Sequence, residues 1–177
     1  MKEIVLDTET TGISVKEGHR IVEIGCIELE NLIPTKNRFH CYLNPERKVS
    51  EKALEVHGYT DEFLATQKKF LEVVEQFLEF IKDKRLIIHN AEFDLSHLNN
   101  ELAILGKKKI DNEIVDTLIL ARDKFPGSPV SLDALCKRYN LVVKDFYIVF
   151  NSGNCQKSFL MLANSAHNIL SRMPNTN

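Results

Sequence analysis

The chain reads as an α/β protein, a mixed β-sheet flanked by helices. Two patterns predict this. Between Glu3 and Leu43 three apolar strand-like runs follow one another, and strands joined by short turns pair antiparallel. Beyond them, strand-like runs alternate with amphipathic helical ones, the mark of parallel strands with crossover helices. A length of 177 residues suits one such domain with a full core.

The first strand is read at residues 3–7, ending in Ile4-Val5-Leu6 and an acid. The second runs from His19 to Glu30 on the apolar content of Ile21, Val22, Ile24, Cys26, Ile27 and Leu29. Gly12 and Gly18 bracket the turn between them. A third strand spans Asn37 to Leu43 and stops at Asn44-Pro45. Ser50 and Gly58 then frame a short helix, as N-cap and C-terminal glycine. Residues 69–82 repeat apolar side chains with a helical period, at Phe70, Val73, Val74, Phe77, Leu78 and Ile81. Arg85 to His89 is the fourth strand. Glu92 to Leu105 is a helix with Leu95, Leu98, Leu102 and Leu105 on one face. Ile114 to Asp116 is a short strand leading into a helix at Thr117 to Lys124, which Pro126-Gly127-Ser128-Pro129 ends. Ser131 caps a last helix at 132–138, and Phe159 to Leu170 is compatible with one more.

Composition narrows the function classes. The net charge of −2 is unlike that of a protein that grips nucleic acid strongly by itself. Any polynucleotide substrate would be held largely by something else. No apolar run is long enough to span a bilayer, and the N-terminus lacks a signal-peptide pattern. Cys26, Cys41, Cys136 and Cys155 are scattered and form no Cys-x-x-Cys pair, so they read as reduced, buried thiols of a cytoplasmic protein.

Two carboxylate motifs carry the chemistry. Asp7 and Glu9 are spaced i, i+2 on a strand, so both point to one face and Thr8 to the other. Two like charges held together call for a cation, and oxygen-only ligands suit Mg²⁺ or Mn²⁺. The alternative is a strand edge with two solvated acids. The second motif, His89-Asn90-Ala91-Glu92-Phe93-Asp94, follows an apolar strand and opens a helix. Asp94 falls in the first helical turn, where the helix dipole favours a carboxylate. A plain helix-start acid, a strand-end His89, a turn Asn90 and a solvent-facing His57 at a helix end are the alternatives for these positions.

In that order the motifs resemble the DnaQ-type 3′–5′ exonucleases of the Asp-Glu-Asp-Asp class, and within them the proofreading ε-subunit branch of bacterial DNA polymerase III. The matching pieces are Leu6 to Gly12, His19 to Gly25, Val56-His57-Gly58, His89 to Asp94, Ala121 to Gly127 and Ser131 to Cys136. The resemblance implies a ribonuclease-H-like fold over residues 1–145 and phosphodiester hydrolysis with two divalent ions, Mg²⁺ or Mn²⁺. It implies Asp7, Glu9 and Asp94 as catalytic metal ligands. With Asp7 and Glu9, it implies Thr10, His57, Asn90 and Phe93 as the pocket for the terminal nucleotide of a single-stranded DNA 3′ end, gripped without base readout. The partners it implies are the polymerase III catalytic subunit and a sliding clamp, in the cytoplasm, with no membrane.

The chain departs from that pattern at its end. The family's last motif is a histidine five residues before a fourth aspartate, the histidine serving as general base. The spacing puts the pair near positions 153 and 158, where Gly153 and Ser158 stand. His167 is followed five residues later by Arg172, and Asp145 has no histidine partner. The family's acid ahead of His57 is Lys52, beside Glu51. None of the 25 acidic residues lies beyond Asp145. Residues 146–177 are therefore an atypical C-terminal segment, of the kind a frameshift would leave. A catalytically impaired binding subunit and a nuclease trimming RNA 3′ ends are the two alternatives to a DNA exonuclease.

Overall fold

The computed structural model describes residues 2–140. The expectations for Asp145, for positions 153, 158 and 167, and for a helix at Phe159 to Leu170 lie outside these residues. Five strands form one sheet: β1 (Lys2–Thr10), β2 (Ile21–Glu30), β3 (Ile33–Tyr42), β4 (Arg85–Ile88) and β5 (Ile114–Asp116). Their order is β3-β2-β1-β4-β5. The hairpin-linked strands β1, β2 and β3 pair antiparallel, whereas β1–β4 and β4–β5 pair parallel. This is the mixed sheet that the order of runs predicts.

A short 3-10 helix (Val15–Glu17) and six α-helices complete the described residues: α1 (Glu51–His57), α2 (Asp61–Ala65), α3 (Phe70–Ile81), α4 (Ala91–Ile104), α5 (Thr117–Lys124) and α6 (Leu132–Arg138). Ser50 Oγ accepts from the Ala53 amide and Gly58 takes a left-handed conformation (φ 77°), so α1 starts and stops where its caps require. Helices α3 and α4 cover one face of the sheet. Phe70, Val73, Val74, Phe77 and Ile81 of α3 and Leu98 and Leu102 of α4 are buried with Ile4, Leu6, Ile24, Cys26, Leu86 and Ile88. The other face buries Val5, Val22, Ile27, Leu29 and Ile87 with Tyr59 and Leu64. Strand alternation thus sends Ile4 and Leu6 one way and Val5 the other.

Several bounds shift from the sequence reading, and one helix, α2, is absent from it. β1 continues to Thr10, so Asp7 and Glu9 lie within the strand and β1 outlasts its apolar run. β3 begins at Ile33 rather than Asn37, because Pro34 is tolerated on a strand that has one free edge. Helix α2 has too few residues to show a period; Thr60 starts it by accepting from the Phe63 amide. Among the described cysteines, Cys26 and Cys136 are buried, Cys41 is partly so, and all three are free thiols. Among the described residues no helix is long and apolar enough to cross a membrane.

Candidate active site

The acidic residues gather at the end of β1. Asp7 and Glu9 are partly exposed, while Thr8 between them is buried, as alternation requires. Asp94 comes from the first turn of α4, on the sheet face opposite to theirs, and is buried (2% exposed). Its Oδ1 accepts two hydrogen bonds of 2.8 Å, from the Thr8 amide and the Thr8 hydroxyl. The Asp94 carboxylate therefore seats on the backbone between Asp7 and Glu9.

The electrostatics show how closely the three acids are coupled. The Asp7 carboxyl is held well above the usual carboxylate range, by burial first and then by the charges of Asp94, Glu9 and Glu23. Asp94 is pushed up to about 7, chiefly by burial; its Thr8 hydrogen bonds oppose the shift and Glu9 adds to it. Carboxylates crowded in this way favour either protons or a cation. The donors are all oxygen, which suits a hard divalent ion. Even so, among the described residues no group of three or more His, Cys, Asp or Glu side chains is drawn together as a finished metal cage.

The other predicted residues fall around this end of the sheet. Thr10 is buried, and its hydroxyl donates to the Gly12 carbonyl at 2.7 Å. Asn90 is exposed and left-handed (φ 72°), the turn asparagine of the alternative reading. Phe93 is half-buried, its ring 4.7 Å from that of His97. His89 contacts Thr117 Oγ1 at 3.0 Å through Nδ1. His57 is buried at 3% exposure, which excludes a solvent-facing ring. The Tyr59 amide donates to His57 Nδ1 at 3.0 Å, so the neutral ring carries its proton on Nε2. Burial lowers the His57 pKa and keeps the ring neutral, although the Thr10 backbone and Glu23 pull the other way. Nε2 itself is buried and makes no well-formed hydrogen bond among the described residues.

Sequence reasoning missed the support beneath these residues. Glu23 lies directly opposite Glu9 in the β1–β2 register and is buried. One Glu23 oxygen meets His40 Nε2 at 2.5 Å and the other accepts from the Tyr59 hydroxyl at 2.8 Å. Tyr59 in turn stacks on His57 with ring centroids 4.8 Å apart. The one available signal was a lone acid inside the apolar run Ile21-Val22-Glu23-Ile24. Asp116 stands in the sequence only as a strand end. It accepts from the Asn90 and Ala91 amides at the start of α4 and from the Leu118 amide at the start of α5.

The loop after β1 is held just as firmly. Thr11 Oγ1 meets His19 Nδ1 at 3.0 Å, and the His19 ring lies over Gly12 so closely that a Cβ there would overlap it. Gly12→Ala is expected to push the ring away from Thr11 and to cost about 1–3 kcal/mol. Denaturant melts check this, with His19→Ala in the Gly12→Ala background expected to recover part of the loss.

Comparison with known proteins identifies the family of the chain. The RNase_T family profile, described as Exonuclease, matches residues 4–145. The chain belongs to the RNase_T exonuclease family. It is 49% identical over 145 residues to a DNA polymerase III subunit epsilon of Rickettsia felis, covering 80% of this chain and 63% of that relative. To the subunit of the same name from Salmonella typhimurium it is 39% identical over 184 residues, covering 90% of this chain and 75% of the relative. The chain thus spans less than two thirds of the length of the Rickettsia protein. Among solved structures it is similar to Exonuclease X in complex with 5′ overhanging duplex DNA, with a TM-score of 0.73 at 22% identity over 95% of this chain and 90% of that one. That likeness shows the fold, the ribonuclease-H-like mixed sheet expected of an exonuclease.

Proposed function

We propose that this exonuclease-family chain removes terminal nucleotides from DNA 3′ ends, as the proofreading ε subunit of DNA polymerase III. The observation that carries the proposal is the coupling of Asp7, Glu9 and Asp94 at the end of β1, with Asp94 seated on the Thr8 amide between the other two. Asp7, Glu9 and Asp94 would hold Mg²⁺ or Mn²⁺. A pair of such ions, when bound, supplies positive charge to the attacking and leaving oxygens of an in-line displacement.

The protein's own part is to position the strand. Neutral, buried His57, stacked on Tyr59, would form part of the pocket wall for the terminal nucleotide. Phe93 presents a half-buried ring for a base or sugar, and Thr10 and Asn90 complete the pocket. A near-neutral chain fits a subunit to which the polymerase catalytic subunit delivers the DNA, in the cytoplasm. A sliding clamp is the further partner. Residues 1–145 form the nuclease core in this reading and 146–177 a segment without its last motif.

That missing motif favours a second reading. Without a histidine base and a fourth aspartate, the chain would be a catalytically impaired member that still binds ions and DNA. Loss of a general base alone costs about 10²–10⁴ in rate. The test is degradation of a 3′-labelled single DNA strand in Mg²⁺ or Mn²⁺ by the full chain, with Asp7→Ala alongside. Metal-dependent release of label that Asp7→Ala reduces to background supports the enzyme. Equal release by both removes it and leaves the binding role, which gel shifts with the same strand then measure. An RNA strand in parallel decides between DNA and RNA 3′ ends. Translation of the gene in its other frames decides the origin of the last segment: a His-x-x-x-x-Asp beyond codon 140 is expected in one of them.

A further inference from the structure

Helix α4 buries an unusual face. Asp94, His97 and Glu101 fall at i, i+3 and i+7, one stripe of the helix, and all three are at most 2% exposed. Polar side chains so deeply buried need partners. Asp94 has Thr8. His97 Nδ1 lies 3.0 Å from the Phe93 carbonyl of its own helix. Glu101 has Arg20, in a bidentate pair with Nε to Oε1 at 2.6 Å and Nη2 to Oε2 at 2.7 Å. The Ile21 amide adds a longer contact to Oε1 at 3.4 Å.

Arg20 is itself tied to the strand that carries the acids. The Thr11 amide donates to the Arg20 carbonyl at 2.9 Å, and the Arg20 amide donates to Thr11 Oγ1 at 3.1 Å. A closed circuit results. It runs from Thr8 along β1 to Thr11, across to Arg20, through the ion pair to Glu101, and back along α4 to Asp94 and Thr8. Apolar contacts of Leu98 and Leu102 hold α4 on the sheet, and the rotation of α4 about its own axis decides where its Asp94–Glu101 stripe points. A bidentate guanidinium–carboxylate pair has one geometry, so it fixes that rotation.

We infer that Arg20 and Glu101 are a positioning pair that sets the rotation of α4 and thereby holds the Asp94 carboxylate against Thr8, beside Asp7 and Glu9. This deepens the nuclease proposal and rests on it for the purpose of Asp94. Neither side chain touches the reacting atoms.

The experiment replaces the pair with apolar side chains of similar shape, Arg20→Met with Glu101→Leu, in the full chain. Buried ion pairs exchanged in this way often keep stability. Two readouts follow in the folded variant. The first is protection of the Thr8 amide from hydrogen exchange in ¹⁵N NMR, with the Val5 and Leu6 amides of the same strand as reference. The second is Mn²⁺ affinity by electron paramagnetic resonance. The Thr8 amide is expected to lose protection while Val5 and Leu6 keep theirs, and Mn²⁺ binding is expected to weaken about 10-fold or more. A pair that only stabilises the fold would lower the protection of all three amides together and leave the affinity of folded molecules intact; either result overturns the inference. If the double variant does not fold, Glu101→Gln, which removes the charge and keeps the shape, is read in the same two ways. Should the parent chain bind no Mn²⁺, the nuclease proposal falls, and the Thr8 amide alone decides the role of the pair.

Discussion

Asp94→Asn is expected to raise the melting temperature of the metal-free protein at about pH 8 and to leave it nearly unchanged at about pH 3. The cause is proton linkage. Burial lifts the Asp94 pKa in the folded state to about 7, from an ordinary value of 3.8. Below about pH 3 the group is protonated whether the chain is folded or not, and its contribution to stability is fully present. As pH rises toward 7 the unfolded chain has already released the proton and the folded chain must follow at a cost, so stability falls. A shift of this size corresponds to an upper limit of about 4 kcal/mol at 1.36 kcal/mol per pKa unit. Asparagine keeps an oxygen for Thr8 and sheds the charge, so a gain of roughly 1–3 kcal/mol at pH 8 is expected after the weaker hydrogen bonds are subtracted. Mn²⁺ acts in the opposite sense on the parent, stabilising it more at pH 8 than at pH 5 because protons compete for the same oxygens. Melts in chelator and in Mn²⁺ across this range check both effects. A variant less stable than its parent at pH 8 in chelator would show that the carboxylate is not under electrostatic stress.

Phe77→Ala is expected to cost about 3–5 kcal/mol, because it opens a cavity where the sheet and α3 meet. Phe77 is fully buried, with the Phe39 ring centroid 5.7 Å away and that of Phe70 at 6.4 Å. Those neighbours belong to separate elements and cannot collapse into the gap together. At about 2–4 °C per kcal/mol for a chain of this size, the melting temperature should drop by about 6–20 °C. Leu71, on the same helix but 64% exposed, is the control; Leu71→Ala should change stability by about 0.5 kcal/mol or less. Similar losses at both positions would mean that α3 does not present its Phe77 face to the sheet.

Much of this architecture was legible because its cause is local. The helical period of Phe70, Val73, Val74, Phe77 and Ile81 and the caps at Ser50 and Ser131 depend on neighbours a few residues away, and the elements stand where those signals put them. The acids Asp7, Glu9 and Asp94 were legible from strand alternation and motif order. Their supports were not. Arg20 and Glu101 are 81 residues apart, and Glu23 and Tyr59 are 36 apart. No spacing rule connects such pairs, because only the finished sheet brings them into reach. The start of β3 was hidden for a related reason. Pro34 reads as a break until the strand is known to lie at the sheet edge.

Asp116 has a consequence of its own. One carboxylate moors the opening turns of both α4 and α5, so neither helix can loosen at that end without slackening the other. The opening turns of α4 and α5 are therefore tied to each other, and Asn90 and Phe93 sit on the tied turn of α4.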